Sequence, residues 1–231
     1  SVGKVATSDC DGPAGVNNFI TGTYGTPYPT EVLMAQTWNT DLLYDLGLAM
    51  GQEYADVNNY GVYGPAMNTH RSAFAGRNFE YYSEDGVLAG KLAAAQVSAM
   101  ATKGTYNYIK HFALNDQETN RCAFLLTYSN EQAIREIYLK PFELCIKNFD
   151  GTQIAVMSSF NWIGTAPACA NEDTLTTILR NEWGFQGMVI TDYDGSYGYM
   201  ITDHCVRAGN DLMLGFSSQA SNQLTNTESA T

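Results

Sequence analysis

The chain has 231 residues, 45% of them hydrophobic and 16% charged, enough for one large domain or two small ones with a sizeable core. Twelve basic against 24 acidic side chains give a net charge of −12, which argues against nucleic acids and anionic membranes as partners. No apolar run of about eighteen residues occurs, so we expect no membrane-spanning helix.

The cysteines and the N-terminus bear on the cellular context. Five cysteines lie far apart, without the spacing of a zinc site or a disulfide framework, so we expect reduced thiols, no metal and no cofactor. By themselves they favour a cytoplasmic location, and secretion stays open. The chain has no starting Met and no signal-peptide pattern, which suggests a fragment or a processed piece.

Hydrophobic periodicity and turn signals predict alternating strands and helices. In chain order, strands are expected at residues 4–8, 61–67, 106–112, 153–158, 188–190 and 211–214, and helices at residues 41–58, 84–103, 129–148, 172–183 and 197–208. Ser129 and Gln132 form a capping box for the third helix, which Pro141 should kink. Gly184 should end the fourth helix.

This alternation predicts an α/β fold with a parallel sheet, either a (β/α)8 TIM-like barrel or a doubly wound sheet. A full barrel needs ~250 residues, so about six of its eight units are expected here. We therefore predict an incomplete barrel domain over residues 1–215 that lacks its first unit. Residues 216–231 are rich in Ser, Thr, Asn and Gln and suggest a polar linker or tail.

Polar groups follow the predicted strands, and the carboxyl ends of parallel strands are where ligands bind. These groups are Asp9 and Asp11; Asn68, His70, Arg71, Arg77 and Glu80; Lys110, His111, Asn115, Asp116, Glu118 and Arg121; Ser158, Ser159, Phe160, Asn161 and Trp162; and Asp192, Tyr193 and Asp194. Such a set suits a polyhydroxylated ligand or a phosphorylated metabolite. No glycine-rich phosphate loop is present, which counts against the metabolite.

The segment 184–195 carries the most specific signal. A glycine that ends a helix is followed by a short apolar strand, which leads directly to Asp192 and Tyr193. Barrel enzymes place catalytic groups at this end of a strand. Capping of the following helix by Asp192 is the structural alternative.

Five motifs together resemble glycoside hydrolase family 3 of the β-glucosidase type, in the order of that family. They are Asp11-Gly-Pro-x-Gly15; Gly76-Arg-Asn-Phe-Glu80 with Ser83-Glu-Asp85; Lys110-His-Phe112 with Asn115-x-x-Glu118; Val156-Met-Ser-Ser-Phe-Asn161; and Gly184-Phe-x-Gly187 leading into Thr191-Asp-Tyr193. The resemblance implies a barrel domain of a retaining glycosidase that releases a terminal β-linked sugar, glucose first among the candidates. No cofactor is implied.

The same resemblance implies roles for seven residues. Asp192 matches the catalytic nucleophile, and Tyr193 the aromatic residue after it. Asp11, Arg77, Lys110 and His111 match positions that hold the sugar, and Met157 lies beside that pocket. Phe160 departs from the family, in which many members have Tyr there, and residues 68–75 differ from the commonest form of their loop.

The acid/base is not evident from the sequence. A retaining enzyme needs an ionised nucleophile and a second, protonated acid. We expect Lys110 and Arg77 to keep Asp192 ionised by lowering its pKa. The resemblance implies an acid supplied by a second domain, while Glu80, Glu118 and Asp194 are the candidates within the chain. Lys110-His-Phe-Ala-Leu-Asn-Asp116 lacks the pattern of the N-acetylhexosaminidase branch.

Three functions remain open at this point. The first is the retaining β-glycosidase, with a small carbohydrate substrate and a possible homo-oligomeric state. The second is a non-catalytic or truncated barrel that binds sugar. The third is a barrel enzyme that acts on a phosphorylated metabolite.

Overall fold

A large mixed sheet forms the centre of the computed structural model, which describes residues 7–122, 124–151, 153–193 and 199–215. The strands in these ranges are β1 (Asp9–Asp11), β2 (Asn17–Asn18), β3 (Thr23–Tyr24), β4 (Gly61–Tyr63), β5 (Tyr106–Phe112), β6 (Leu126–Thr127), β7 (Ile154–Ser158), β8 (Trp162–Ile163), β9 (Ala166–Pro167), β10 (Val189–Tyr193) and β11 (Leu212–Leu214). The α-helices are α1 (Glu31–Ala35), α2 (Thr40–Asp56), α3 (Gly86–Ala101), α4 (Glu131–Ala133), α5 (Lys140–Asn148) and α6 (Thr202–Ala208).

The order of strands in the large sheet is β11-β10-β7-β5-β4-β1-β2-β3. Within this order, the six strands from β11 to β1 each run parallel to their neighbours. This parallel arrangement confirms the α/β class. The antiparallel strands β2 and β3, which continue the sheet beyond β1, were not expected. Strands β6, β8 and β9 form a small second sheet, also unexpected.

Several predicted boundaries are wrong by a few residues. The first strand was expected at 4–8; residues 1–6 lie outside the described ranges, and β1 begins at Asp9. Strand β4 ends at Tyr63 rather than at residue 67. Strand β10 continues to Tyr193, so Asp192 lies inside the strand and not after it. Part of the helix expected at 197–208 and the tail at 216–231 also lie outside the described residues.

The long helix expected at residues 129–148 is divided. Asn130, rather than Ser129, caps its start by accepting a hydrogen bond from the backbone of Ala133. A π-helical turn at Ile134–Tyr138 follows α4, and α5 then begins at Lys140 with Pro141 in its first turn. Proline lacks an N–H group and is tolerated only in a first turn, so its position explains a new helix start here.

Two faces of the sheet serve different purposes because side chains alternate along a strand. Ile109, Val156 and Val189 point to the face covered by helices and join the main core. Tyr108 and Ile190 lie on the opposite, inner face.

No helix in the described ranges is both long and apolar enough to cross a bilayer.

The two longest helices owe their starts to side-chain caps. Asn39 accepts hydrogen bonds from the first backbone N–H groups of α2, and Asp85 does the same for α3. Gly184 ends the fourth predicted helix, as expected. It follows the π-helical segment Asp173–Glu182 and has a φ of 73°, a conformation that glycine adopts readily.

Candidate active site

The inner face of the sheet delivers three of the predicted site residues. Lys110, Met157 and Asp192 each follow an inner-face residue by two positions, near the carboxyl ends of β5, β7 and β10. The register brings the strands into line, since Met157 pairs with Ile190 and Val156 with Ile109. The period of two therefore places an amine, a thioether and a carboxylate on one surface.

All seven predicted side chains border one cavity of about 440 Å³. They are Asp11, Arg77, Lys110, His111, Met157, Asp192 and Tyr193. Asp9, Tyr63 and Arg121 also border it, and Phe19 and Ile20 stand exposed at its rim. The structure thus brings the predicted residues together, while their chemical roles stay predictions.

The buried carboxylate of Glu80 binds two cations that border the cavity, Lys110 and Arg77. Glu80 lies 2.9 Å from Nζ of Lys110 through Oε1, and its Oε2 accepts a hydrogen bond of 2.6 Å from Nε of Arg77. Burial alone would raise the pKa of Glu80, but Lys110 and Arg77 lower it overall. Glu80 was one of the acids expected within the chain, but a carboxylate that is paired with two cations does not fit that role.

The second acid considered within the chain, Glu118, is also paired. It lies 3.0 Å from Arg121 and accepts a hydrogen bond of 3.0 Å from Asn115. Asp194, the third, lies outside the described residues. Glu118 is therefore occupied by the framework around the site.

Asp192 is a buried carboxylate that borders the cavity. Its Oδ1 accepts a hydrogen bond of 2.7 Å from the backbone N–H of Tyr193, and its buried Oδ2 has no hydrogen bond from the described residues. Burial raises the pKa of Asp192, against the opposing influence of the backbone hydrogen bond, Arg121, Lys110 and Arg77. Our expectation of a lowered pKa was wrong in its net direction because burial outweighs the nearby cations.

His111 faces Asp192 as a neutral ring. Its Nε2 lies 3.8 Å from Oδ2 of Asp192, but burial and the cations Arg77, Lys110 and Arg121 hold the pKa of His111 well below its usual range. The pair is therefore not an ion pair at neutral pH. Asn68 fixes the backbone of His111 from both sides, by accepting from its N–H and donating to its carbonyl.

Arg121 is a further residue of the site, and it was not among the sugar-binding residues predicted from the sequence. It borders the cavity, and its guanidinium carbon lies 4.5 Å from the centre of the Phe160 ring. Phe160 is the position at which we noted Phe in place of the usual Tyr. The sequence had placed Arg121 among the groups that follow β5, but spacing alone could not show that it turns back to the cavity.

A second cavity of about 580 Å³ adjoins the first and shares Asp11, Arg77 and Lys110 with it. Glu31 and Thr30 border it at the start of α1, and Phe79 lies at its edge.

Over the described ranges, no cluster of three or more His, Cys, Asp or Glu side chains could hold a metal ion.

The profile of the glycosyl hydrolase family 3 N-terminal domain matches residues 6–225. The chain belongs to glycosyl hydrolase family 3. Beta-glucosidase A of Butyrivibrio fibrisolvens is 43% identical over 215 residues, which cover 93% of this chain and 25% of that relative. Probable beta-glucosidase I of Aspergillus clavatus is 38% identical over 206 residues, covering 88% of this chain and 24% of the relative.

Solved structures of family 3 members share the fold. Beta-glucosidase 3B from Thermotoga neapolitana in complex with glucose has a TM-score of 0.82 and 38% identity, with 98% of this chain and 31% of that chain covered. DesR, a beta-glucosidase from Streptomyces venezuelae in complex with D-glucose, has a TM-score of 0.84 and 32% identity, with 91% and 26% covered. The chain spans about a quarter of the length of the curated relatives that it matches.

Proposed function

We propose that this chain forms the nucleophile-bearing part of a retaining β-glucosidase. The observation that carries the proposal is the environment of Asp192, a carboxylate whose Oδ2 accepts no hydrogen bond from the described residues at the end of β10. An oxygen that is not occupied by the framework is available to attack an anomeric carbon. The relatives named beta-glucosidase support the choice of a β-glucoside as substrate.

The remaining cavity residues suit a sugar at this position. Asp11, Arg77 and Lys110 offer charged hydrogen-bonding groups to vicinal hydroxyls, and neutral His111 offers a ring nitrogen. Met157 and the half-buried Tyr193 supply apolar contact for the face of the ring. Two of the similar structures contain glucose, which favours glucose as the sugar.

The reaction proceeds by double displacement. The Asp192 carboxylate attacks the anomeric carbon, the bond to the aglycone breaks, and an acid protonates the departing oxygen. Water then attacks the anomeric carbon of the glycosyl ester while the acid, now deprotonated, accepts a proton from that water, and the bond to the carboxylate breaks to release the sugar and Asp192. The cations near Asp192 favour its ionised form, while burial strips it of competing water.

The acid is supplied from outside this chain in our proposal. Glu80 is paired with Arg77 and Lys110, which lower its pKa and so disfavour the protonated form that an acid needs, and Glu118 is paired with Arg121. The chain spans about a quarter of its curated relatives, which leaves room for a second domain in the full-length protein. We further infer that residues 1–215 belong to an incomplete (β/α)8 barrel domain.

Substitution of Asp192 by Asn in the full-length protein tests the proposal. The amide cannot form the glycosyl ester, so hydrolysis of an aryl β-glucoside should fall to background while glucose binding persists. Asp45→Asn, on the exposed side of α2, is the matched control and should keep parental activity. Parental turnover in Asp192→Asn would refute the nucleophile assignment, and glucose binding without turnover in the parent would favour the sugar-binding alternative.

A further inference from the structure

Glu31 borders the cavity that adjoins the candidate site, and it was not among the residues predicted from the sequence. It is the first residue of α1, only 1% exposed, and it borders the second cavity beside Asp11, Arg77 and Lys110. Its Oε1 is buried without a hydrogen-bond partner among the described residues. A buried glutamate is rare unless it is paired, so its presence next to the site calls for a reason.

The charges around Glu31 come from several elements. Burial raises the pKa of Glu31 well above its usual range, and the Glu80 carboxylate raises it further. Lys110 from β5 and the backbone N–H groups of Glu31 and Ala66 oppose that rise. Two buried phenols, Tyr54 from α2 and Tyr82, also interact with Glu31, and burial raises their pKa values. Burial and the unpartnered Oε1 both favour the protonated form of Glu31.

Lys110 is already paired with another carboxylate. Its Nζ lies 2.9 Å from Glu80, which also binds Arg77, so one carboxylate is shared by two cations. An ionised Glu31 would repel Glu80 and compete for Lys110 in a poorly screened interior. The ammonium group would then be drawn toward α1 and away from the cavity that we assign to the sugar.

We propose that Glu31 is a positioning residue that, as an uncharged acid, leaves Lys110 paired with Glu80 and directed at the sugar. The inference rests on the proposed function, since it assigns Lys110 to sugar binding. Its consequence is that affinity for the sugar falls at alkaline pH, when Glu31 loses its proton.

The test compares the dissociation constant of glucose across pH for the full-length protein and its Glu31→Gln variant, by calorimetry. The amide is uncharged at every pH, so the variant should bind within about threefold of the parent at pH 7. At alkaline pH the parent should lose about tenfold in affinity at a pH where the variant still binds. Glu143→Gln, on the surface of α5 beside Lys140, is the control and should follow the parent.

Three results would overturn the inference. A tenfold loss in Glu31→Gln at pH 7 would mean that Glu31 acts as an anion, and an identical alkaline loss in both proteins would assign that loss to another group. An infrared difference spectrum between the two proteins at pH 7 that lacks a protonated carboxyl band would show an ionised Glu31 whatever the binding result. The inference needs only the sugar-binding part of the proposed function, so an Asp192→Asn variant with parental turnover would refute the nucleophile assignment, whereas the glucose profiles test Glu31 separately.

Discussion

Two opposing influences act on the Asp192 carboxyl. Arg121, Lys110 and Arg77 favour the ionised form, whereas burial favours the protonated form and decides the net direction. The sequence displays charges but not burial, which is why it predicted the wrong sign. His111 illustrates the same point, because its position in the chain could not show that the ring is buried among cations and neutral.

Asp116 provides a pH-dependence that can be measured without substrate. It is 8% exposed, and burial raises its pKa to about 7, against weaker opposing effects of the Thr69 backbone and Arg71. An unfolded Asp has a pKa of about 3.9. The folded protein therefore binds the proton more tightly than the unfolded chain, so this contribution to stability is complete below pH ~4 and is lost as pH rises through about 7.

We predict that Asp116→Asn removes this pH-dependence. At pH 8 the variant should be more stable than the parent by about 2–4 kcal/mol, and the difference should vanish near pH 4. Urea unfolding at several pH values measures it, with Asp45→Asn as the exposed control. A constant difference between pH 4 and pH 8 would contradict the assignment.

At the scale of elements, the site depends on strands whose inner and outer faces differ. Tyr108 and Lys110 share the inner face of β5, and Ile109 lies on the helix-covered face. Strands β5, β7 and β10 could be predicted from the sequence because each contains a run of successive buried residues, as in a strand that is covered on both faces. Strands β2 and β3 have two residues each, too few to show any period.

The helix layer depends on close contact between α2 and α3. A Cβ on Gly47 would overlap the carbonyl oxygen of Gln96 and lie 2.9 Å from Cβ of Ala99. Because the nearest obstacle is backbone, it cannot move aside as the end of a flexible side chain could. Gly47 is thus required by packing and not by a turn.

We predict that Gly47→Ala destabilises the fold by about 1–3 kcal/mol, since the overlap outweighs the roughly 1 kcal/mol that alanine gains in helix propensity. The midpoint of urea unfolding reports the change. Asp45→Ala, exposed on the same helix, should leave stability almost unchanged or slightly higher. An equally stable Gly47→Ala would show that α2 and α3 are farther apart than in this structure.

At the scale of the whole molecule, the sequence predicted the class of fold and the set of residues that meet at the cavity. The fold class follows from the alternation of strands and helices, and the seven site residues follow from the motifs that resemble family 3. Glu31 and Arg121 were not assigned, since α1 has five residues and the segment that carries Arg121 has no repeating pattern. Their placement depends on long-range packing, which local periodicity does not encode.

In our proposal, Asp192 forms a covalent bond to the sugar. A 2-fluoro-β-glucoside with a good leaving group tests this bond, because departure of such a group barely needs the acid. Mass spectrometry should find one added fluorosugar on the peptide that contains Asp192, and none on the Asp192→Asn variant. A folded protein that forms no adduct, or carries it on another peptide, would contradict the account.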